Sequence, residues 1–262
     1  MSAPAPDSAS VPGAHRPRSA LAPIPLAILC ARSVKSALRH GFSGRDILRQ
    51  IDAMGTRSML LIAFGMAFFG AVLVEHGASQ ARPIVGDITI VGPAWFEVML
   101  RDLAPTIAGL LAAVRIGAAL SAEIAAMKVS EQLDALELCA GDIHADIVFP
   151  RLVAGLIAIP ALIVIGTATA ELSSAFCALF FYGADGGAFL DSGLVDGCDL
   201  FAFALKSFGY ALAIPLAAIR CGLDAQGGPG GVGEATTRGV VASSMAVLLL
   251  NVILGLILFF CV

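Results

Sequence analysis

The sequence predicts an all-α integral membrane protein, with an N-terminal interfacial amphipathic helix followed by five transmembrane helices. Three observations carry this. Mean hydropathy is +0.89 and hydrophobic residues make up 58% of the 262, above the roughly one half typical of soluble domains. Charged residues are only 14%, against about 25% in globular chains. A soluble body of this length would expose large apolar patches, so lipid is the solvent for much of the surface. Finally, the apolar residues gather into five stretches of the roughly 20 residues that a helix needs to cross a hydrocarbon core of about 30 Å. The net charge of −4 says less than where the charges lie.

Residues 1–20 are rich in Pro, Ala and Ser, carry Arg16 and Arg18, and lack the continuous apolar core and cleavage site of a signal peptide. They read as a disordered cytoplasmic tail. Residues 21–52 combine an apolar start, LAPIPLAILC, with Arg32, Lys35, Arg39, Arg45 and Arg49. That mixture suits an amphipathic helix lying in the interface better than a span. Residues 53–262 hold the membrane domain, with spans expected at about 58–77, 103–127, 148–172, 201–219 and 240–262. The second is the least apolar and is interrupted by Arg115 and Glu123. Six cysteines (Cys30, Cys139, Cys177, Cys198, Cys221 and Cys261) are scattered singly. Their spacing indicates neither a zinc site nor a disulfide framework.

Basic residues orient the chain. Eight of the sixteen Lys and Arg precede residue 58, whereas 152–205 contains none and carries Asp185, Asp191, Asp196 and Asp199 in its connecting loop. Positive-inside reasoning puts the N-terminus in the cytoplasm and the 182–200 loop outside. The connections after spans two and four, with Lys128, Arg220 and Arg238, are then cytoplasmic, and Val262 is on the outer side. Five spans rarely complete a transport path and an odd number is no even duplication, so a symmetric homodimer with the path at its interface is expected.

Chemistry concentrates in residues 101–151. The stretch opens with Arg-Asp-Leu-Ala-Pro (101–105). Proline biases the residue before it away from helical geometry, so span two is expected to start near Leu103 with Arg101 and Asp102 at its mouth. Gly117, Ala118, Ala119, Ser121, Ala122, Ala125 and Ala126 form a small-residue surface that lets membrane helices approach closely. Arg115 and Glu123 are eight residues apart, share a helix face, and suit helix packing or an internal ion pair. In 129–138, Glu131, Asp134 and Glu137 alternate with Leu133, Ala135, Leu136 and Leu138, the pattern of a short amphipathic helix. It lies on the cytoplasmic surface or docks a partner.

The run 101–105, then Arg115-x-Gly-Ala-Ala, Ala122-Glu123, Met127 and Glu131-Gln132-x-Asp134-Ala135-Leu136-Glu137, resembles the signature of the MlaE/YrbE-type permeases of Mla and Mce lipid ABC transporters. Gly231-Val-Gly-x-Ala235-Thr236-Thr237-Arg238-x-Val-Val-Ala242-Ser243 also resembles theirs, and the likeness runs from about Gly44 to the C-terminus. The sequence departs from the family at Asp102, where Glu is commoner, at Val114 and Ala126, where Gly is, and at Asn251, where Asp is.

The resemblance implies a homodimeric permease of the bacterial inner membrane that moves (phospho)lipid between that membrane and periplasmic MCE-domain partners, contributing to outer-membrane lipid asymmetry. It implies that Glu131, Gln132, Asp134, Leu136 and Glu137 couple to a separate ABC ATPase, which holds the ATP and Mg. A small STAS-type protein is a further partner, and no cofactor or metal is expected in this chain. A lipid path would involve Arg101, Asp102 and Leu103, with Phe68, Phe69, Val72 and Leu73 lining it from the first span.

Absences agree with a split between chains. No GxxxxGK[ST] loop occurs, and the glycine-rich run 227–233 lacks a following Lys and reads as a flexible cytoplasmic loop. Gly41-Phe-Ser43-Gly resembles the serine motif of intramembrane proteases, but Ser43 precedes every span and neither His76 nor His144 is embedded in one. A secondary carrier, or an ABC permease for another hydrophobic compound such as a sterol or solvent, is the competing transport reading. A carrier would more naturally show paired broken helices.

The charge asymmetry makes a direct prediction. A periplasm-active reporter fused after Val262 is active and one fused near Gln226 is silent, and the reverse pattern in a fusion assay refutes the orientation.

Overall fold

The computed structural model describes residues 30–36, 44–86 and 88–261. Among these, all regular structure is helical: α1 (Gly44–Met54), α2 (Thr56–Val85), α3 (Gly92–Val98), α4 (Ala104–Val129), α5 (Gln132–Leu138), α6 (Phe149–Tyr182), α7 (Gly197–Leu223) and α8 (Gly228–Cys261). Short 3-10 segments lie at Ile88–Val91 and Gly186–Leu190, and single π-helical turns at Met99–Leu103 and His144–Val148. Five helical stretches are long and apolar enough to cross a membrane: Gly44–Ile84, Thr89–Val129, His144–Tyr182, Gly197–Leu223 and Gly228–Leu258. The chain is a multi-pass membrane protein.

The N-terminal helix expected over 21–52 is seen only in part. Residues 30–36 and Gly44–Met54 are helical, while 1–29 and 37–43, including the expected tail and Ser43, lie outside the described residues. Ser36 bonds Asp142, and Cys30 packs on the cluster that also anchors α5, so residues 30–36 sit at the α5 end. The chain breaks between α1 and α2 at Gly55, whose amide bonds the Ile51 carbonyl at 2.7 Å. Met54 enters the core there.

The helices alternate in direction. α1, α5 and the turn between α7 and α8 therefore gather at one end, and segments 86–91 and 183–196 at the other. At that second end Gly92 packs so closely on the Ala188 backbone that an added Cβ would meet its carbonyl carbon at 2.6 Å.

Packing follows a four-residue step. On α2 the buried positions are 58, 62, 66, 70, 74 and 78, and on α8 the row 231, 235, 239, 243 and 247 is buried, with 258 further on. Such i±4 rows form the ridges by which helices interlock. Small residues make the seams close. A Cβ on Gly70 would stand 2.3 Å from the Ala170 carbonyl oxygen of α6, and one on Gly239 2.3 Å from the Ser121 hydroxyl of α4. The small-residue surface expected in span two is therefore the α4–α8 seam, with Gly117 against Ser243 and Ala125 beside Ala235. α4, α6 and α7 form the centre. α2 and α8 flank it with broad apolar faces: Leu60, Phe64, Phe68 and Val72 on one, Val241, Met245, Leu249 and Val252 on the other.

One expectation fails here. The glycine-rich run 227–233 is mostly helix: Gly227 and Gly228 take positive φ of 75° and 63°, and α8 starts at Gly228. Two left-handed glycines turn the chain, after which the long apolar segment carries the helix back through its own first turns.

Candidate functional site

Pro105 organises the most polar region inside the membrane domain. It has no N–H, so the Arg101 carbonyl four residues earlier loses its helical donor. Instead of ending, the helix widens into the π turn Met99–Leu103, where the Ala104 amide reaches back five residues to the Met99 carbonyl. Ala104, directly before the proline, keeps helical angles (φ −65°, ψ −48°). This corrects the expected start near Leu103: the helical path runs from Thr89 to Val129. Burial in a bundle outweighs the local bias, because the displaced polar groups find other partners.

The orphaned Arg101 carbonyl accepts from the Lys206 ammonium of α7 at 3.2 Å, and the same ammonium bonds the Asp102 carboxylate. Arg101 in turn lies 3.4 Å from Asp199. Asp199 is fixed at the start of α7, where its other oxygen accepts from the Asp196 amide at 3.1 Å, one half of a capping box. The Lys206 and Asp199 side chains are 3% and 5% exposed, those of Arg101 and Asp102 37% and 54%. Two buried charges thus hold two accessible ones: a guanidinium beside a carboxylate, each already neutralised from behind. One turn beyond Lys206 on α7, Tyr210 donates to the Asn251 side chain of α8 at 3.2 Å.

The other expected path residues divide. Phe68 and Val72 are one turn apart on the exposed face of α2, but Phe69 and Leu73 point one residue further round and pack on the core, as does Leu103. At about 100° per residue, neighbours on a peripheral helix face different media. Phe69, Leu73 and Leu103 are thus partly buried against the core, and Phe68 and Val72 are the exposed pair.

Arg115 and Glu123 share a face and border one small cleft, yet they are not paired. Glu123 bonds Arg151 of α6 at 2.6 Å, and that guanidinium also donates to the Ile147 carbonyl at 2.9 Å. Eight residues put Arg115 about 12 Å further along α4, beyond a side chain already engaged.

α5 is short and anchored. Leu133 is buried and Leu136 packs beside it against Ile124, Ile147 and Ile219. Leu136, one of the expected docking residues, is thus partly covered by the body. Glu131, Gln132, Asp134 and Glu137 are exposed, joined by Leu138, which is 89% exposed. Glu131 precedes the helix with a positive φ of 58°, where it reverses the chain after α4.

Lys206, Asp199, Arg151 and Glu171 were not singled out from sequence. Lys206 carried a signal, as a lysine inside an apolar span is a functional candidate by itself. Asp199 read as one of four loop acids, and only the crossing of α7 over the π turn reveals its partner. Glu171 of α6 is buried, and neither carboxylate oxygen has a hydrogen-bond partner among the described residues.

Comparison with known proteins places these features in a family. A family model described as Permease MlaE matches residues 47–257. The chain is 32% identical over 216 residues to the intermembrane phospholipid transport system permease protein MlaE of Haemophilus influenzae, covering 81% of this chain and 82% of the relative. It is 30% identical over 221 residues to a probable ABC transporter permease protein of Rickettsia felis, covering 84% and 85%. It is 27% identical over 231 residues to the chloroplastic protein trigalactosyldiacylglycerol 1 of Arabidopsis thaliana, covering 87% of this chain and 65% of that one.

The cluster makes a stability prediction. Lys206→Met leaves the Arg101 carbonyl and Asp102 without their donor and costs about 2 kcal/mol, below the range for a fully buried pair because Asp102 is half exposed. Asp102→Leu combined with Lys206→Met costs less than the sum of the single changes. Thermal unfolding in detergent checks this, and strictly additive losses refute the coupling.

Proposed function

This chain is a member of the MlaE permease family, and from that premise we propose that it forms the membrane path of an ABC-type transporter that moves phospholipid between the bacterial inner membrane and periplasmic MCE-domain partners. It thereby contributes to outer-membrane lipid asymmetry. The observation that carries this reading is the charged group at the π turn. Arg101 and Asp102 are accessible and adjacent, and Asp199 and Lys206 hold them from behind. An exposed guanidinium beside an exposed carboxylate complements a zwitterionic headgroup. The planar fork of Arg101 takes phosphate oxygens through paired, charge-assisted bonds, and Asp102 faces the headgroup cation. Phe68 and Val72 of α2 supply apolar surface for acyl chains.

With the N-terminus cytoplasmic, the cluster belongs to the outer half of the bilayer and α5 to the cytoplasmic side. ATP hydrolysis takes place on a separate ATPase, which meets Glu131, Gln132, Asp134 and Glu137, with Leu138 as the apolar contact among them. The exposed faces of α2 and α8 give a second copy of the chain room to complete the path as a homodimer, to which a small STAS-type protein adds a further subunit. No residue of this chain forms a covalent intermediate; its work is to bind, orient and release.

Two experiments test the reading. Arg101→Ala lowers both co-purified phospholipid and transport into acceptor vesicles by roughly tenfold, the scale of one charge-assisted pair, while Arg101→Lys restores part because a point charge lacks the fork. Unchanged lipid occupancy and transport place the path elsewhere. Reversing Glu131 and Glu137 to Lys releases the ATPase on co-purification and leaves the permease folded; retention at normal stoichiometry shows that α5 is not the dock.

A further inference from the structure

We infer that the cleft between α1, α2 and α4 binds the phosphate of a phospholipid in the leaflet on the α5 side, with Arg115 as its cation. The cleft, of about 30 Å³, is bordered by Gln50, Met54, Ser58, Arg115, Ala119 and Glu123. Its depth follows from neighbouring contacts. At the far end of α2, Gly77 lies against Trp95, whose ring a Cβ there would meet at 3.0 Å. From Gly77 to Ser58 the helix runs about 29 Å, one hydrocarbon thickness. With Trp95 taken as an interfacial anchor, the usual place of a tryptophan, the cleft at Ser58 falls at the opposite boundary, and Arg115, four residues from Ala119, reaches it from about 6 Å inside.

Arg115 is half-buried, and among the described residues its side chain makes no hydrogen bond or ion pair. The one acid bordering the cleft, Glu123, is held by Arg151 at 2.6 Å. The cleft therefore has a net positive charge in a medium that makes an uncompensated guanidinium costly. A lipid phosphate is the anion that the boundary itself supplies. The void admits phosphate oxygens but not a whole headgroup, so the ester lies at the mouth and the acyl chains run inward along Leu61 and Val114, both about half exposed. Arg45, Arg49 and Arg57, exposed on α1 and the first turn of α2, raise the local concentration of anionic lipid.

This site is distinct from the Arg101 cluster and rests on the lipid-permease reading only for its use, as a loading position on the leaflet opposite that cluster. Binding is measured on the full-length chain in detergent by native mass spectrometry, with dioctanoyl phosphatidylglycerol, dioctanoylglycerol and inorganic phosphate as probes. Each titration is run with and without Arg101→Ala, so that loss of the outer site is read separately. In the Arg101→Ala background, phosphatidylglycerol still binds. Adding Arg115→Gln weakens that binding roughly tenfold, Arg115→Lys weakens it less, and Arg82→Gln, at an exposed position near the far end of α2, leaves it unchanged. Dioctanoylglycerol does not occupy the site and millimolar inorganic phosphate does not displace the lipid. Equal affinity with and without Arg115→Gln, equal occupancy by dioctanoylglycerol, or displacement by inorganic phosphate overturns the assignment. The lysine variant keeps the test decisive if the glutamine variant fails to assemble. Loss of transport in Arg101→Ala with unchanged Arg115-dependent binding separates the two readings.

Discussion

Inside a bilayer every backbone carbonyl needs a donor, and at Pro105 the helix has none to give. Much of the half of the molecule remote from α5 answers that deficit. The π turn at Met99–Leu103 supplies the Ala104 amide with a new acceptor, and the Lys206 ammonium supplies the Arg101 carbonyl with a new donor. An ammonium buried in an apolar helix pair then needs a counter-charge, which Asp102 provides. The turn that presents Asp102 also presents Arg101, and Arg101 finds Asp199 at the cap of α7. A backbone requirement thus recruits four charges to one level of the membrane, and two of them, Arg101 and Asp102, stay accessible.

The same economy of polar groups appears at the other end. Arg151 and Glu123 satisfy one another across α6 and α4, which leaves Arg115 without a carboxylate partner among the described residues. At the level of the π turn each exposed charge is paired with a buried one of opposite sign.

Small residues decide which helices are central. Where Gly70 meets the Ala170 carbonyl and Gly239 meets Ser121, the backbones approach closely along rows spaced by four residues. α2 and α8 join the bundle through these narrow seams and leave wide apolar faces outward. Without a hydrophobic drive between helices in lipid, contact density along such seams does the holding.

Sequence alone determined the medium, the number of spans and the family, because hydropathy over 20 residues and the motif between Arg101 and Glu137 are local properties of the chain. It put Arg101 and Asp102 at the mouth of span two, whereas they lie on a π turn within the helical path Thr89–Val129. Only the tertiary structure decided the pairings. Arg115 and Glu123 share a helix face, but Arg151 arrives from another helix and takes Glu123. Phe68 and Phe69 are equivalent in composition, and which of them meets the core depends on where α6 and α4 stand. Leu136 and Leu138 were interchangeable until the body beneath α5 partly covered one and left the other exposed. Pro105 read as a helix start because its local bias is visible, whereas Lys206, about a hundred residues away, is what lets the helix continue. A residue's own preferences are written in the chain; the partner that overrides them is brought near only by folding.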